Sequence, residues 1–224
     1  MDHPPSRRVV LGGTMAGLAV PLLGGAPAAR AAAAQAAGPI GSGWTEIFPT
    51  YSVHQPPDRT RHTYDAATGE HHFWLYDTDP STFPGQDSGP RSELRFHNDY
   101  TSGHAQFECD MKIGAGAHRV CVMQVFGGAT SATAFMTLAM NTDSINYYDS
   151  TTQIHAPVYD RYIRLNVVHE TDLGKIHIFV NRQYRTSFND RGAATHYFKC
   201  GLYGRTDMSA RSDNHIKNIH IYRK

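Results

Sequence analysis

From Trp44 onward, hydrophobic and polar positions alternate over short runs that are rich in β-branched and aromatic residues. Clusters of Gly, Pro, Asn and Asp separate these runs, a pattern typical of strands joined by turns. No window of helical length beyond residue 38 carries an apolar stripe with the helical period. We therefore predict an all-β, antiparallel sandwich, jelly roll or barrel. The predicted strands lie near residues 44–48, 71–76, 91–97, 105–113, 119–126, 133–140, 144–148, 162–169, 175–188, 196–204 and 215–223.

Charged side chains occupy alternate positions of the third predicted strand, which reads PRSELRFHN over residues 90–98. Alternate side chains of a strand share one face. One face of this strand therefore carries a cation, an anion, a second cation and an imidazole: Arg91, Glu93, Arg95 and His97. The opposite face carries Ser92, Leu94 and Phe96.

Two further strands show the same division between a polar and an apolar face. In HYFKCGLYGR, residues 196–205, one phase holds Tyr197, Lys199, Gly201, Tyr203 and Arg205. In VCVMQVFGG, residues 120–128, Gln124 shares a phase with Val122 and Phe126, whereas Met123 and Val125 point the other way. A lone Gln among apolar residues is costly to bury without partners. If the three strands are neighbours in one sheet, their polar phases form a floor of Arg, Glu, Gln, Lys and Tyr.

The first 38 residues have the features of an export signal. Ser6-Arg7-Arg8 precedes an uncharged stretch over residues 9–29, and Ala-rich sequence with small residues suited to cleavage follows. These features predict a twin-arginine signal peptide at residues 1–38 and a secreted, single domain at residues 39–224. A membrane anchor is the alternative, but Gly, Pro and Ala dilute the apolar run. We expect no membrane association after cleavage.

Charge restricts the partners of the predicted mature chain. The full chain has 21 basic and 20 acidic residues, and removal of Arg7, Arg8, Arg30 and Asp2 leaves 18 basic and 19 acidic, a net charge of −1. A chain with this balance must hold an anionic ligand with a local cluster rather than an overall field. The sequence also lacks a basic run with interleaved aromatic residues, so we expect no nucleic-acid partner.

Cysteine and histidine provide weaker signals. Cys109 and Cys121 flank a Gly-Ala-Gly-Ala turn at residues 114–117 that could bring them together across a hairpin, although the mirror register places Cys109 nearer Val122. The sequence therefore leaves undecided whether Cys109 and Cys121 form a disulfide. Neither paired Cys nor His-x-x-x-His spacing supports zinc among the 14 histidines. We therefore assign no metal ligands.

The arginine-rich strand, the Gln strand and the Tyr-Phe-Lys-x-Gly-x-Tyr strand, in that order, resemble the signature strands of the alginate lyase superfamily of jelly-roll polysaccharide lyases. The resemblance to its glucuronan lyase branch is closer and extends through MQVFGG, YDRYIRLNVVHE, HYFKCGLYG and the terminal IKNIHIYRK. The same stretches resemble plant citrate-binding proteins, which share the fold. This resemblance implies a β-jelly roll with an open substrate cleft, and an acidic polysaccharide as substrate. It implies no required cofactor. Whether the protein binds a structural calcium ion is left undecided, because no ligands can be assigned. We expect a monomer.

The family's site residues then map onto this chain. Arg91 and Gln124 correspond to the groups that neutralise the uronate carboxylate, and Tyr203 to the proton donor to the glycosidic oxygen, which can also act as base. Lys199 corresponds to a substrate-holding residue. We add His97 as a candidate catalytic base, and we leave His54 and the His71/His72 pair open. The remaining candidate substrate-binding residues are Arg95, Glu93, Tyr197 and Arg205, with Glu93 expected to orient the two arginines.

One position departs from the family pattern. Alginate lyases usually read Gln-x-His at the second signature strand, and here that site is Phe126. A literal Gln-Ile-His occurs at residues 153–155, but it follows the Gln strand and is rejected as the site. In glucuronate and mannuronate units the C5 hydrogen and O4 lie on the same side of the ring, so one Tyr can serve both. Loss of the His therefore argues against guluronate.

We consider two alternative functions. A non-catalytic binder of carboxylates or acidic sugars needs Arg91, Gln124 and Lys199 but no proton-transfer group. A glycoside hydrolase needs paired carboxylates across the cleft, and Glu93 has no evident partner in the sequence.

Overall fold

The computed structural model describes residues 38–86 and 88–224, which form two antiparallel sheets. In the described residues the strands are separated by turns and loops and by one 3₁₀ turn, Thr171–Leu173. The strands are β1 Thr45–Ile47, β2 Tyr51–His54, β3 His62–Asp65, β4 Glu70–Tyr76, β5 Arg91–Phe96, β6 His104–Ile113, β7 Val120–Phe126, β8 Thr133–Met140, β9 Ser144–Tyr147, β10 Gln153–His155, β11 Tyr162–Glu170, β12 Lys175–Val180, β13 Gln183–Asn189, β14 Tyr197–Gly204 and β15 Arg211–Arg223.

The two sheets differ in strand order. The eight-stranded sheet, here the back sheet, has the order β13-β12-β11-β6-β15-β4-β3, and β1 pairs with β15. The seven-stranded sheet, here the front sheet, has the order β10-β9-β8-β7-β14-β5-β2. Neighbours in each sheet are often far apart in sequence, which is the topology of a jelly-roll sandwich. The predicted all-β antiparallel sandwich is confirmed.

The core lies between the sheets and follows the alternation of the strands. Phe73 and Phe107 of the back sheet and Leu94 and Phe198 of the front sheet are fully buried in one hydrophobic cluster. Leu94 and Phe198 point into this core. The residues that alternate with Leu94 in β5 and with Phe198 in β14 therefore point to the other face of the front sheet. That outer face carries the polar phases of the signature strands.

Most predicted strands match observed ones, with two kinds of difference. The predicted strand at 175–188 is a hairpin of β12 and β13, turned at Asn181 and Arg182, which both have positive φ. The prediction omits β2, β3 and β10, because all three are short and β2 and β3 are largely exposed, so their apolar alternation is weak. Residues 153–155 form strand β10 at the edge of the front sheet.

A β-bulge in β7 corrects the predicted phase of the Gln strand. The register shifts between Cys121 and Met123 against both neighbouring strands. Val122 therefore packs in the inter-sheet core with Met123, whereas Cys121 packs against Tyr203 on the outer face of the front sheet. Gln124 is on the outer face as predicted, but Val122 is not.

The hairpin interpretation of the cysteines is wrong. Strand β6, which carries Cys109, lies in the back sheet, and β7, which carries Cys121, lies in the front sheet. Cys109 and Cys121 are both free and buried, as is Cys200.

The predicted signal peptide, apart from Gly38, lies outside the described residues. Within residues 38–86 and 88–224, the structure contains no helix with the length and hydrophobicity of a membrane span.

Candidate active site

Four adjacent strands of the front sheet, β7, β14, β5 and β2, bring most of the predicted site residues together. The antiparallel register sets their neighbours across the sheet. The relevant pairs are Tyr203 with Arg91, Gly201 with Glu93, Lys199 with both Arg95 and Gln124, and His54 with Glu93. Sequence segments more than a hundred residues apart thus form one polar surface.

Glu93 is the centre of this surface. Its Oε1 accepts hydrogen bonds from Arg91 Nη1 at 2.9 Å and from Lys199 Nζ at 2.8 Å, and its Oε2 accepts one from Gln124 Nε2 at 2.7 Å. His54 Nδ1 lies 3.7 Å from Oε1. Glu93, Gln124 and Lys199 are all at most 3% exposed. We call the set formed by Glu93, Arg91, Lys199, Gln124 and His54 the Glu93 cluster.

The electrostatics of the Glu93 cluster keep its carboxylate ionised. Burial alone would raise the pKa of Glu93, but Lys199, His54 and Arg91 together lower that pKa to about 2. Arg91 and Lys199 supply two positive charges against one negative charge, so the cluster retains a net positive charge. A carboxylate that is ionised at any ordinary pH cannot act as the general acid of a glycoside hydrolase.

Tyr203 lies beside the Glu93 cluster between two arginines. The Arg91 guanidinium carbon is 3.7 Å from the centroid of the Tyr203 ring, a cation–π contact. Arg205 Nη1 donates a hydrogen bond to the phenolic oxygen at 2.9 Å. The ring packs on Cys121, Met136 and Leu138. Both the ring plane and the phenolic oxygen are therefore held in a fixed position.

Gly201 permits the close approach of β14 to β5. Its φ is +135°, and a Cβ at this position would lie 2.4 Å from the carbonyl oxygen of Ser92 and 2.6 Å from Glu93 Cα. Only Gly adopts this conformation without strain and leaves space for the neighbouring strand. The position of Glu93 relative to Lys199 thus depends on residue 201 being a glycine, which has no side chain.

The segment after β4 covers the β2 side of the site. Asp79 accepts two hydrogen bonds from Arg61, at 2.8 and 2.6 Å, and Thr82 Oγ1 accepts one from the backbone N–H of Arg91 at 2.8 Å. Phe83 then contacts the Arg91 guanidinium at 5.6 Å and the His54 ring at 5.2 Å. An apolar ring therefore shields one edge of the Glu93 cluster from water.

A cleft of about 620 Å³ opens next to Tyr203. Its lining includes Tyr203, Arg205, Asp77 and Asp207 together with residues 88–90. Tyr203 is 7% exposed.

Comparison with known proteins identifies the family. Residues 45–223 match the family model described as alginate lyase. This chain belongs to the alginate lyase family. It is also 34% identical over 187 residues to a citrate-binding protein from Hevea brasiliensis, covering 81% of this chain and 78% of that protein.

Solved alginate lyases share the fold of this family member. An alginate lyase from polysaccharide lyase family 7 superposes with a TM-score of 0.57 at 19% identity, covering 73% of this chain and 82% of that one. The alginate lyase from Corynebacterium sp. gives a TM-score of 0.55 at 17% identity, covering 71% and 79%. The predicted jelly roll and the predicted superfamily are confirmed.

Arg95 and His97 lie apart from the Glu93 cluster in this alginate lyase family member. Arg95 pairs with Asp99 at 2.8 Å and stacks on Tyr197 at 3.9 Å, so Glu93 does not orient both arginines as expected. His97 follows the end of β5, is exposed, and bonds Ser52 and Arg95. Six residues of extended chain separate it from Arg91, about 20 Å. His97 therefore lies outside the Glu93 cluster.

Of the histidines left open by the sequence, only His54 meets the Glu93 cluster. Its Nδ1 is buried without a hydrogen-bond partner. His71 shares the core-facing phase of β4 with Phe73, bonds His62 at 2.9 Å, and has its pKa lowered by burial to about 4. His72 stacks on His215 of β15, in the back sheet. The alternation of β5 places His97 in the same phase as Arg91, whereas the cross-strand register, which sequence does not give, places His54 beside Glu93.

Phe126 occupies the site where alginate lyases usually carry His. Its ring stacks on Tyr197 with centroids 4.8 Å apart, and Lys199 Nζ lies 5.1 Å from its centroid. This position therefore packs apolar surface beside the Glu93 cluster and offers no proton-transfer group.

Proposed function

We propose that this protein is a polysaccharide lyase that cleaves a 1,4-linked uronate polymer by β-elimination, with glucuronan as first substrate and mannuronate-rich alginate as second. The observation that carries the proposal is the convergence of Arg91, Lys199 and Gln124 on one buried surface beside the phenol of Tyr203. A uronate lyase needs a cationic site for the sugar acid and a proton-transfer group next to it.

Binding of the substrate carboxylate uses the excess positive charge of the Glu93 cluster. Glu93 takes one N–H each from Arg91, Lys199 and Gln124, and each of these residues has further N–H groups to offer. Donors aimed at the sugar carboxylate stabilise the enolate-like state that forms as the C5 proton leaves. Glu93 holds these donors in place before the substrate arrives.

Proton transfer is assigned to Tyr203. The C5–H bond breaks, its electron pair forms the C4–C5 double bond, the C4–O4 bond breaks, and O4 takes up a proton. In glucuronate and mannuronate units the C5 hydrogen and O4 lie on one side of the ring, so a single phenol serves both transfers. Arg205, which donates to the phenolic oxygen, stabilises negative charge on that oxygen during the exchange.

His54 takes the role that sequence alternation suggested for His97. Its unpartnered Nδ1 lies beside Glu93, on the opposite side of β5 from Tyr203. We propose that it donates to the substrate carboxylate or takes the C5 proton. Phe126 supplies no second base on the β7 side, which supports a syn-eliminating substrate over guluronate.

The decisive test is activity on defined polymers. Residues 39–224 are incubated in turn with glucuronan, polymannuronate and polyguluronate, and formation of the C4–C5 double bond is followed by ultraviolet absorbance. We expect the fastest rate on glucuronan and the slowest on polyguluronate. Tyr203→Phe should reduce the rate about 100-fold or more while binding of the polymer persists. Tyr184→Phe, an exposed tyrosine of the back sheet, is the matched control and should leave the rate unchanged.

A second function, a non-catalytic carboxylate binder, is favoured by the similarity to the citrate-binding protein. Such a binder would hold a polycarboxylate on the Glu93 cluster without proton transfer. Absence of double-bond formation on all three polymers, together with citrate binding that Arg91→Ala weakens, would replace the lyase proposal with this one. Export through the twin-arginine pathway, which we also propose, is compatible with either function.

A further inference from the structure

A second polar cluster lies on the core side of the front sheet, away from the Glu93 cluster. It consists of His169 of β11, Asp190 in the loop after β13, and His196 just before β14. One potential ligand atom from each residue lies within 4.8 Å of the other two. His196 has the same phase as Phe198 and Cys200, which point into the core, whereas Lys199 and Tyr203 lie on the outer face of the front sheet. The cluster therefore belongs to a different part of the fold.

Both imidazoles are buried and one has an unsatisfied ring nitrogen. His169 and His196 are 0% exposed. His196 Nδ1 lies 3.1 Å from the carbonyl oxygen of Gly127, to which it donates, so its Nε2 carries a free lone pair. Nε2 is buried and has no hydrogen-bond partner. An unpaired buried lone pair costs free energy unless a further group meets it.

The second ring nitrogen of each histidine is oriented in the manner of a metal ligand. A metal-binding His usually gives its other N–H to a carbonyl, carboxylate or hydroxyl group. Gly127 O serves His196 in this way, and Tyr100 Oη lies 2.9 Å from His169 Nδ1. The phenolic oxygen of Tyr100 can accept the N–H of this ring nitrogen.

Asp190 completes the donor set. Its Oδ2 lies 3.1 Å from His169 Nε2, and its Oδ1 accepts the backbone N–H of Gly192 at 3.0 Å. Two imidazole nitrogens and one carboxylate oxygen are a donor set that suits Zn²⁺, at bond lengths of about 2.0–2.2 Å.

We propose that His169, Asp190 and His196 bind a divalent transition-metal ion, best matched by Zn²⁺, with a fourth position left for water. His169 belongs to the back sheet, and His196 leads into a strand of the front sheet. The ion would therefore join the two sheets at one end of the core. Its role is structural, since the cluster does not face the cleft at Tyr203.

The test is a Zn²⁺ titration of chelator-treated, desalted protein by calorimetry, with Tm measured in parallel. We expect one Zn²⁺ per chain and a Tm that rises with Zn²⁺ concentration. Asp190→Asn keeps an oxygen for Gly192, and His196→Asn keeps a donor for Gly127, and each should weaken Zn²⁺ affinity at least about tenfold. Where His196→Asn fails to fold, Asp190→Asn decides. Co²⁺ in place of Zn²⁺ should give the strong visible absorption of a four-coordinate ion.

His215→Gln is the matched control, because His72 and His215 form a rival imidazole pair with ring centroids 4.2 Å apart. This variant should bind Zn²⁺ as the wild type does. Absence of saturable binding in the wild type, binding unchanged by Asp190→Asn, or binding lost in His215→Gln would each overturn the proposal. None of these outcomes depends on lyase activity.

Discussion

Arg91 and Tyr203 are direct cross-strand partners, and the guanidinium of the first lies 3.7 Å from the ring centroid of the second. The same guanidinium donates to Glu93. One side chain thus contacts both Glu93, which holds the proposed carboxylate-binding donors in place, and the proposed proton-transfer group Tyr203. Both contacts depend on the planar shape of the guanidinium. Its face stacks on the Tyr203 ring while the N–H groups at its edge point towards Glu93.

Arg91→Lys tests this double contact. The variant keeps the charge but loses the stacked, planar geometry, so we expect kcat/KM on the preferred polymer to fall roughly 10- to 100-fold. Steady-state kinetics measures the change. Arg185→Lys on β13 of the back sheet is the matched control, and an equal loss in both variants would show that geometry at Arg91 is unimportant.

Glu93→Gln tests the centre of the cluster by stability. Arg91 and Lys199 would stay buried without their counter-charge, and we expect the free energy of unfolding to fall by about 3–5 kcal/mol near neutral pH. Denaturant unfolding measures this change. Glu46→Gln, at an exposed residue of β1, should have a much smaller effect.

The lowered pKa of Glu93 predicts that the stability difference between the wild type and Glu93→Gln depends on pH. The folded pKa of Glu93 is lowered to about 2 from an ordinary value of 4.5. The carboxylate therefore contributes its full stabilisation above pH 4.5, and this contribution disappears as pH falls through about 2. The stability difference between wild type and Glu93→Gln should shrink over this interval. A difference that stays constant down to the acid limit would contradict the assigned interactions.

Gly201→Ala should destabilise the protein more than Gly69→Ala. Both glycines have positive φ, but a Cβ at residue 201 would clash with Ser92 and Glu93, whereas nothing lies within 4 Å of one at residue 69. Gly69→Ala carries only the backbone cost of about 1 kcal/mol. Unfolding curves of the two variants isolate the clash, and equal losses would show that β14 can move away from β5 freely.

His54→Asn and His97→Asn distinguish the two candidate histidines. His54 adjoins the Glu93 cluster, so its loss should lower kcat about 100-fold, whereas loss of His97 should lower it less than about tenfold. Initial rates on glucuronan measure both. The reverse order of effects would return the assignment to His97.

Most strands, and the polar faces of the strands that form the candidate site, could be predicted from alternation. Strand β8 matches its predicted residues 133–140, and the polar phases of β5 and β14 face the cleft side as expected. Alternation reports only which side of a strand a residue occupies. It therefore places Arg91 and Glu93 on one face of β5 and Lys199 and Tyr203 on one face of β14, whereas their proposed roles rest on the resemblance to alginate lyases.

The rest depended on features that alternation does not encode. Sheet order placed β2, a short exposed strand, beside β5 and so brought His54 to Glu93. Asn181 and Arg182 adopt positive φ without the Gly that usually marks such a turn, so the β12–β13 hairpin was read as one strand. His169, Asp190 and His196 share no local spacing, and only the packing of the two sheets brings them together.

The bulge between Cys121 and Met123 breaks the alternation of β7. Strict alternation counted back from Gln124 places Val122 on the outer face and Cys121 in the core, which is the reverse of the observed packing. The bulge, and not the sequence pattern, therefore sets which residues upstream of Gln124 line the outer face. Any redesign of the cleft floor should therefore begin from Cys121, the thiol that already contacts Tyr203.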